Sequence, residues 1–304
     1  MLIKLLLCLS IFATTASFSA SIIVLQGETS EFGRKFFSGF SSVTTESMKA
    51  FQYHISKDRA ILDQIKSLRP DLVVTIGKAP IEALVTLLPS TPFIVGDYFS
   101  PALAKKPNVV VMEQTPPTDA AIDLLLKFLP NVKTIGTIYN PQYSQDIFNL
   151  LVKSATKRTI RIASIKASNA SDVGSYVSAF IGKIDVYFAI RDVTTSNLVA
   201  SDALFDFSKK NQIPVVSLDS NHQTRPALVT LAVDPVQLGT EAWEIAKIIL
   251  KEKKIPQLPP TLDASELSLG ISLTAVSMVP TGMQLLPKFL QDTTDANYSV
   301  RVNK

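Results

Sequence analysis

The stretch from Pro130 to Asn140, PNVKTIGTIYN, constrains the fold more than any other. It reads as a helix end, a tight turn, a buried strand over 133–139 and a polar loop. Its near-continuous apolar character is that of a strand covered on both faces. The loop that follows, Asn140 with Tyr143 and Ser144, would sit at the carboxyl end of a parallel strand, where open α/β sheets bind ligands.

The chain before this stretch follows one plan. Ser21 to Leu25 (SIIVL) makes a first strand, and a polar loop leads to Ser30, a helix cap. Phe32, Phe36, Phe37 and Phe40 recur at helical spacing and form a core-packing face. Lys49 to Ile55 alternates as a strand, and Arg59 to Leu68 is an amphipathic helix. Pro70 to Gly77 is a buried strand closed by glycine. Lys78, Ala79 and Pro80 open a helix whose free backbone N–H groups would suit a carboxylate, although an ordinary βα turn reads the same. Thr91 to Gly96 repeats the strand and glycine, with Asp97 and Tyr98 in its exit loop.

The chain after it continues the alternation. Helices are expected over 146–156 and 196–209, and strands over 160–166, 183–190 and 213–218. The last two strands exit into Arg191, Asp192 and Thr194, and into Asp219. A further strand over 227–233 precedes a long helix over 236–250 that carries the only tryptophan, Trp243. A short strand follows at 267–273, and residues beyond about 290 read as a loose polar tail. Regular alternation of this kind predicts an α/β protein with parallel sheets flanked by helices, in two lobes.

Composition narrows the function. With 46% apolar and 18% charged residues the chain has ample material for two cores. The net charge of +4 comes from scattered Lys and Arg, without the basic stripe that nucleic acid would require. The single cysteine, Cys8, lies in the N-terminal apolar run, so a chain lacking that run has no disulfide, thiol chemistry or Cys-based metal site. His54 and His222 are far apart and read as surface or strand residues, not a metal pair. Residues 1–21 carry Lys4, an apolar run and small residues at Ser17, Ser19 and Ser21, the pattern of a cleaved secretory signal. Lipoprotein processing at Cys8 fits poorly, because Leu7 precedes it.

Six segments resemble the substrate-binding components of ABC transporters, in the branch that includes tryptophan- and tyrosine-binding proteins: PDLVVTIGKAPIEA, TPFIVGDYFSPAL, LPNVKTIGTIYNPQYSQ, KIDVYFAIRDVTTSN, ALFDFSKKNQIPVVSLDSN and VDPVQLGTEAWEIAKIILK. The resemblance implies a type I periplasmic binding fold. Residues 22–113 with 235–260 would form the N-terminal lobe, 114–234 with 261–290 the C-terminal lobe, and 291–304 the tail. It implies a periplasmic, monomeric protein without a cofactor, partnered by a membrane permease and closing on a small molecule, an amino acid, with aromatic ones in view. Gly77, Lys78 and Ala79 would meet a carboxylate. Ser30, Asp97, Tyr98, Asn140, Tyr143, Ser144, Arg191, Asp192, Thr194 and Asp219 would line the cleft, an acid among them holding an ammonium. Lys78 and Arg191 depart from the family pattern and would favour an acidic or phosphorylated ligand. A sensor that signals to a membrane partner would need the same cleft. An enzyme is disfavoured by the absence of a nucleophile elbow, phosphate loop or dinucleotide fingerprint.

Overall fold

The computed structural model describes residues 20–303, apart from 28–29, 55–58, 99–100, 257–260, 263–265 and 295–297. Most of the expected secretory signal therefore lies outside the described residues.

The first lobe is built on β1 (Ile22–Gln26), β2 (Met48–Gln52), β3 (Leu72–Ile76), β4 (Phe93–Gly96), β5 (Val109–Met112) and β11 (Thr261–Leu262). They form one sheet in the order β11-β5-β4-β3-β1-β2, and every pairing in it is parallel. Its helices are α1 (Glu31–Val43), α2 (Arg59–Leu68), α3 (Lys78–Leu84), α4 (Pro101–Ala104) and α9 (Pro235–Glu252). Successive side chains of a strand point to opposite faces, and both faces here are covered. Ile22 and Val24 join Phe32, Phe36, Phe40, Trp243 and Ile249 on one side. Ile23 and Leu25 join Ile65, Ile81, Leu84 and Phe93 on the other. That explains the unbroken apolar runs in the sequence.

The second lobe holds β6 (Thr134–Tyr139), β7 (Arg161–Lys166), β8 (Val186–Ala189), β9 (Val215–Ser217), β10 (Val229–Val233), β12 (Leu267–Ser272) and β13 (Tyr298–Asn303). The order is β13-β12-β10-β9-β8-β6-β7, parallel except for the β10–β12 pair. Its helices are α5 (Thr118–Phe128), α6 (Pro141–Thr156), α7 (Val173–Ser178), α8 (Leu198–Asn211), α10 (Leu273–Val276) and α11 (Gly282–Thr294). The chain passes between sheets three times: after β5, after β10 and after β11.

Four expectations are corrected. Residues 141–144 are not a loop but the first turn of α6. Asn140 caps it by accepting from the Gln142 N–H, Pro141 occupies the first turn, and the helix bends at Ser144. The tail is not loose: β13 lies parallel along β12. β11 pairs with β5, so residues 261–262 belong to the first sheet rather than the second. His222 is neither surface nor strand, but is buried in a 3-10 turn after β9.

Helices α1 and α9 cross with their backbones almost touching. A Cβ on Gly39 would lie 2.0 Å from the Val236 carbonyl oxygen, and one on Gly239 would lie 2.1 Å from that of Phe36. Glycine at both positions permits this approach. Phe40 and Trp243 then pack edge to face across the crossing, with ring centroids 5.8 Å apart.

Candidate functional site

The polar exits of β4 and β8 meet across the two lobes. Arg191, two residues past β8, forms an ion pair with Asp97 Oδ1, one residue past β4. The carboxyl ends of the two parallel sheets therefore face one another, which is the position where such sheets hold ligands. The Ser30 hydroxyl donates to Asp97 Oδ2 at 2.6 Å and also accepts from the Gly33 N–H as the cap of α1. The Arg191 guanidinium lies over the Phe32 ring, 4.4 Å from its centroid.

A second group is wholly internal to the second lobe. Asp192 is buried. Its Oδ2 accepts from the Asn140 N–H at 2.6 Å and from the Ser144 hydroxyl. Its Oδ1 accepts from the N–H groups of Thr194 and Thr195 at 2.8 and 3.2 Å. An ionised carboxylate offers about four lone-pair positions, and all four are taken. The Asn140 amide donates to Thr194 Oγ1 at 3.0 Å. Asn140, Ser144, Asp192 and Thr194 thus lace the exit of β6 to the exit of β8 and hold the cleft wall in shape.

Asp219 is different. It caps the turn after β9 by accepting from the Asn221 N–H on Oδ1 at 2.9 Å. Its Oδ2 is buried and has no hydrogen-bond partner among the described residues. His222, in the turn that Asp219 caps, lies between Ser217 Oγ (2.8 Å from Nδ1) and Ser201 Oγ (3.0 Å from Nε2). Burial holds its imidazole below its ordinary pKa, outweighing the nearby Asp219 carboxylate.

The remaining expected residues stand apart from these groups. The Gly77 N–H is committed to the Gly96 carbonyl at 3.0 Å. Lys78 reaches Glu82 at 3.9 Å, and the Tyr98 hydroxyl donates to the same carboxylate at 3.4 Å. Ala79 packs against the first-lobe core. Tyr143 is exposed on the first turn of α6. Phe32 was legible only as helix core, yet it floors the Arg191 site. A Cβ on Gly33 would come within 2.7 Å of Asp97 Oδ2. Among the described residues no cluster of His, Cys, Asp and Glu could hold a metal ion. Nor is any described helix long and apolar enough to cross a membrane.

The family model for ABC transporter substrate binding proteins matches residues 44–280. The chain belongs to that family. It is a family of extracytoplasmic solute-binding proteins, not of enzymes, whose members serve with a small-molecule ligand and a membrane permease. A tyrosine-binding protein of Clostridioides difficile (strain R20291) is 27% identical over 222 residues, covering 69% of this chain and 63% of that protein. A conserved domain protein from Vibrio cholerae O1 biovar eltor shares the fold, with a TM-score of 0.72 and 23% identity over 94% of this chain and all of that one. A Streptococcus domain solved in complex with L-Trp has a TM-score of 0.69 at 17% identity, over 93% of this chain and all of that one. The architecture of this family member is accordingly the two-lobed type I periplasmic binding fold.

Proposed function

We propose that this protein captures an amino acid, the aromatic ones foremost, between two lobes that close about a hinge, and hands it to the permease of an ABC importer. It would act as a periplasmic monomer, without a cofactor. The observation that carries the reading is Asp219 Oδ2. A buried acceptor without a donor costs about 1–3 kcal/mol, and more when charged. A ligand ammonium removes that cost by donating a charge-assisted hydrogen bond. Asp219 stands at the carboxyl end of β9, one strand from the β8 exit that meets the first lobe. The amides of Lys78 and Ala79 are the proposed counterpart for the ligand carboxylate. The ligands named for the tyrosine-binding relative and for the L-Trp complex support an aromatic amino acid.

A thermal-shift screen of the protein against the amino acids tests this. Ligand at a hundredfold excess over Kd stabilises the folded state by about 2.7 kcal/mol. We expect a shift with tryptophan, tyrosine or phenylalanine that Asp219→Asn abolishes. A panel of all twenty that leaves the melting temperature unmoved overturns the amino-acid reading.

A further inference from the structure

We propose that the first-lobe wall of the cleft is a cation-binding site, made by Asp97, Phe32 and Ser30, and that its occupant is the chain's own Arg191, which latches the two lobes together without help from a ligand. A carboxylate beside an aromatic face is what recognises a guanidinium or an ammonium. Here all three recognising groups come from the first lobe, and the cation comes from the second. Ser30 fixes one Asp97 oxygen at 2.6 Å, the other takes the Arg191 Nη2, and Phe32 lies beneath the guanidinium at 4.4 Å.

The site is built by local backbone choices. Asp97 adopts φ +56°, a left-handed conformation that turns its carboxylate away from the line of β4. Gly33 leaves room for that carboxylate, since a Cβ there would come within 2.7 Å of Oδ2. Burial completes the site: the Arg191 and Asp97 side chains are 15% and 7% exposed, whereas the partners in the Glu31–Lys35, Asp119–Lys157 and Glu244–Lys247 pairs are 43–60% exposed.

A pair of this kind closes the cleft weakly. Desolvation of the two charges offsets much of their attraction, so the closed state is favoured by little. Breaking the pair in a rigid protein would strand a buried charge. In a hinged protein the stranded charge is hydrated by opening the lobes, so loss of the latch is read as opening and not as unfolding. The latch also sets which ligands reach Asp97. A ligand whose side chain is cationic would have to displace Arg191, whereas the ammonium of any amino acid would be left to Asp219. This last consequence rests on the binding function proposed above; the latch itself does not.

The test is small-angle scattering on the full protein, refolded from denaturant to strip any copurified ligand. Three variants are compared with wild type: Arg191→Met, Asp97→Asn and Gly33→Ala, the last of which changes no charge. All three are expected to give a larger radius of gyration than wild type, with unchanged far-UV circular dichroism. The Arg191→Met/Asp97→Asn double variant should be no more open than Arg191→Met alone, because both changes break the same pair. Superposed wild-type and Arg191→Met curves overturn the proposal, as does a double variant markedly more open than Arg191→Met. No amino acid is present in these measurements, so they stand or fall separately from the ligand screen.

Discussion

Alanine at Gly39 or Gly239 should destabilise this protein, although both glycines sit inside helices where alanine is the better helix former. Helix propensity alone favours the substitution by about 1 kcal/mol. Against it, each new Cβ would stand at 2.0 or 2.1 Å from a carbonyl oxygen of the facing helix, when ordinary contact begins at 3.4 Å. Carbonyl oxygens of a helix cannot swing aside, so α1 and α9 must move apart. A gap of about 0.5–1 Å forfeits a quarter to a half of each dispersion contact across it. This interface carries Phe36, Phe40, Leu238, Ala242 and Trp243, all buried. Overpacking costs typically about 1–3 kcal/mol, and so aromatic a seam belongs at the upper end. The net expectation is a loss of about 2 kcal/mol for either variant. Urea unfolding followed by the emission of Trp243, which packs on Phe40 at the crossing itself, measures it. Gly174→Ala is the control: its Cβ would meet only the Ala203 methyl at 3.5 Å, so stability should hold or rise. An unfolding midpoint at or above wild type for Gly39→Ala and Gly239→Ala would refute the steric reasoning.

Other perturbations follow from the second lobe. Asp192→Ala leaves four donors without their carboxylate and should cost about 3 kcal/mol in a thermal or urea melt, whereas Tyr143→Ala, at an exposed site, should change stability by less than about 0.5 kcal/mol. His222 is held neutral by burial, so the unfolded chain binds the proton more readily than the folded one; stability should fall as pH drops below about 6.5, by at most about 1.4 kcal/mol per pH unit. Urea midpoints between pH 7 and 5 check this, and His222→Asn should flatten that part of the profile. Asp219→Asn removes the charge on a partnerless oxygen, so it should leave stability equal or higher while weakening amino-acid binding at least tenfold by calorimetry; undiminished affinity would remove Asp219 from the site.

The sheet architecture was legible because doubly covered strands write themselves as apolar runs, as β3 and β6 do with every residue buried. One-sided elements were harder to read. β13 alternates Tyr298, Val300 and Val302 with polar residues, but as an edge strand at the chain terminus its signal resembles a polar tail. The start of α6 carried its own signature, an Asn cap followed by proline, which the aromatic and polar residues after it obscured. For the site, strand exits identified the right loops but not what each side chain does there. Asp97, Asp192 and Asp219 are the same residue type in the same kind of position. One binds an arginine 94 positions away, one binds backbone 52 positions away, and one leaves a carboxylate oxygen without a partner among the described residues. Those partners are set by how the lobes pack, which no local pattern records.

The three crossings between the sheets also dictate the order in which the protein can be finished. The first lobe needs α9 against α1 and β11 against β5, both supplied after most of the second lobe has been made. The second lobe in turn needs β12 and β13, from 267–272 and 298–303. Neither hydrophobic core is complete until nearly the whole polypeptide is available, and contacts of such long sequence separation form slowly. A growing chain of this sequence therefore completes both sheets late, after most of each lobe has been made.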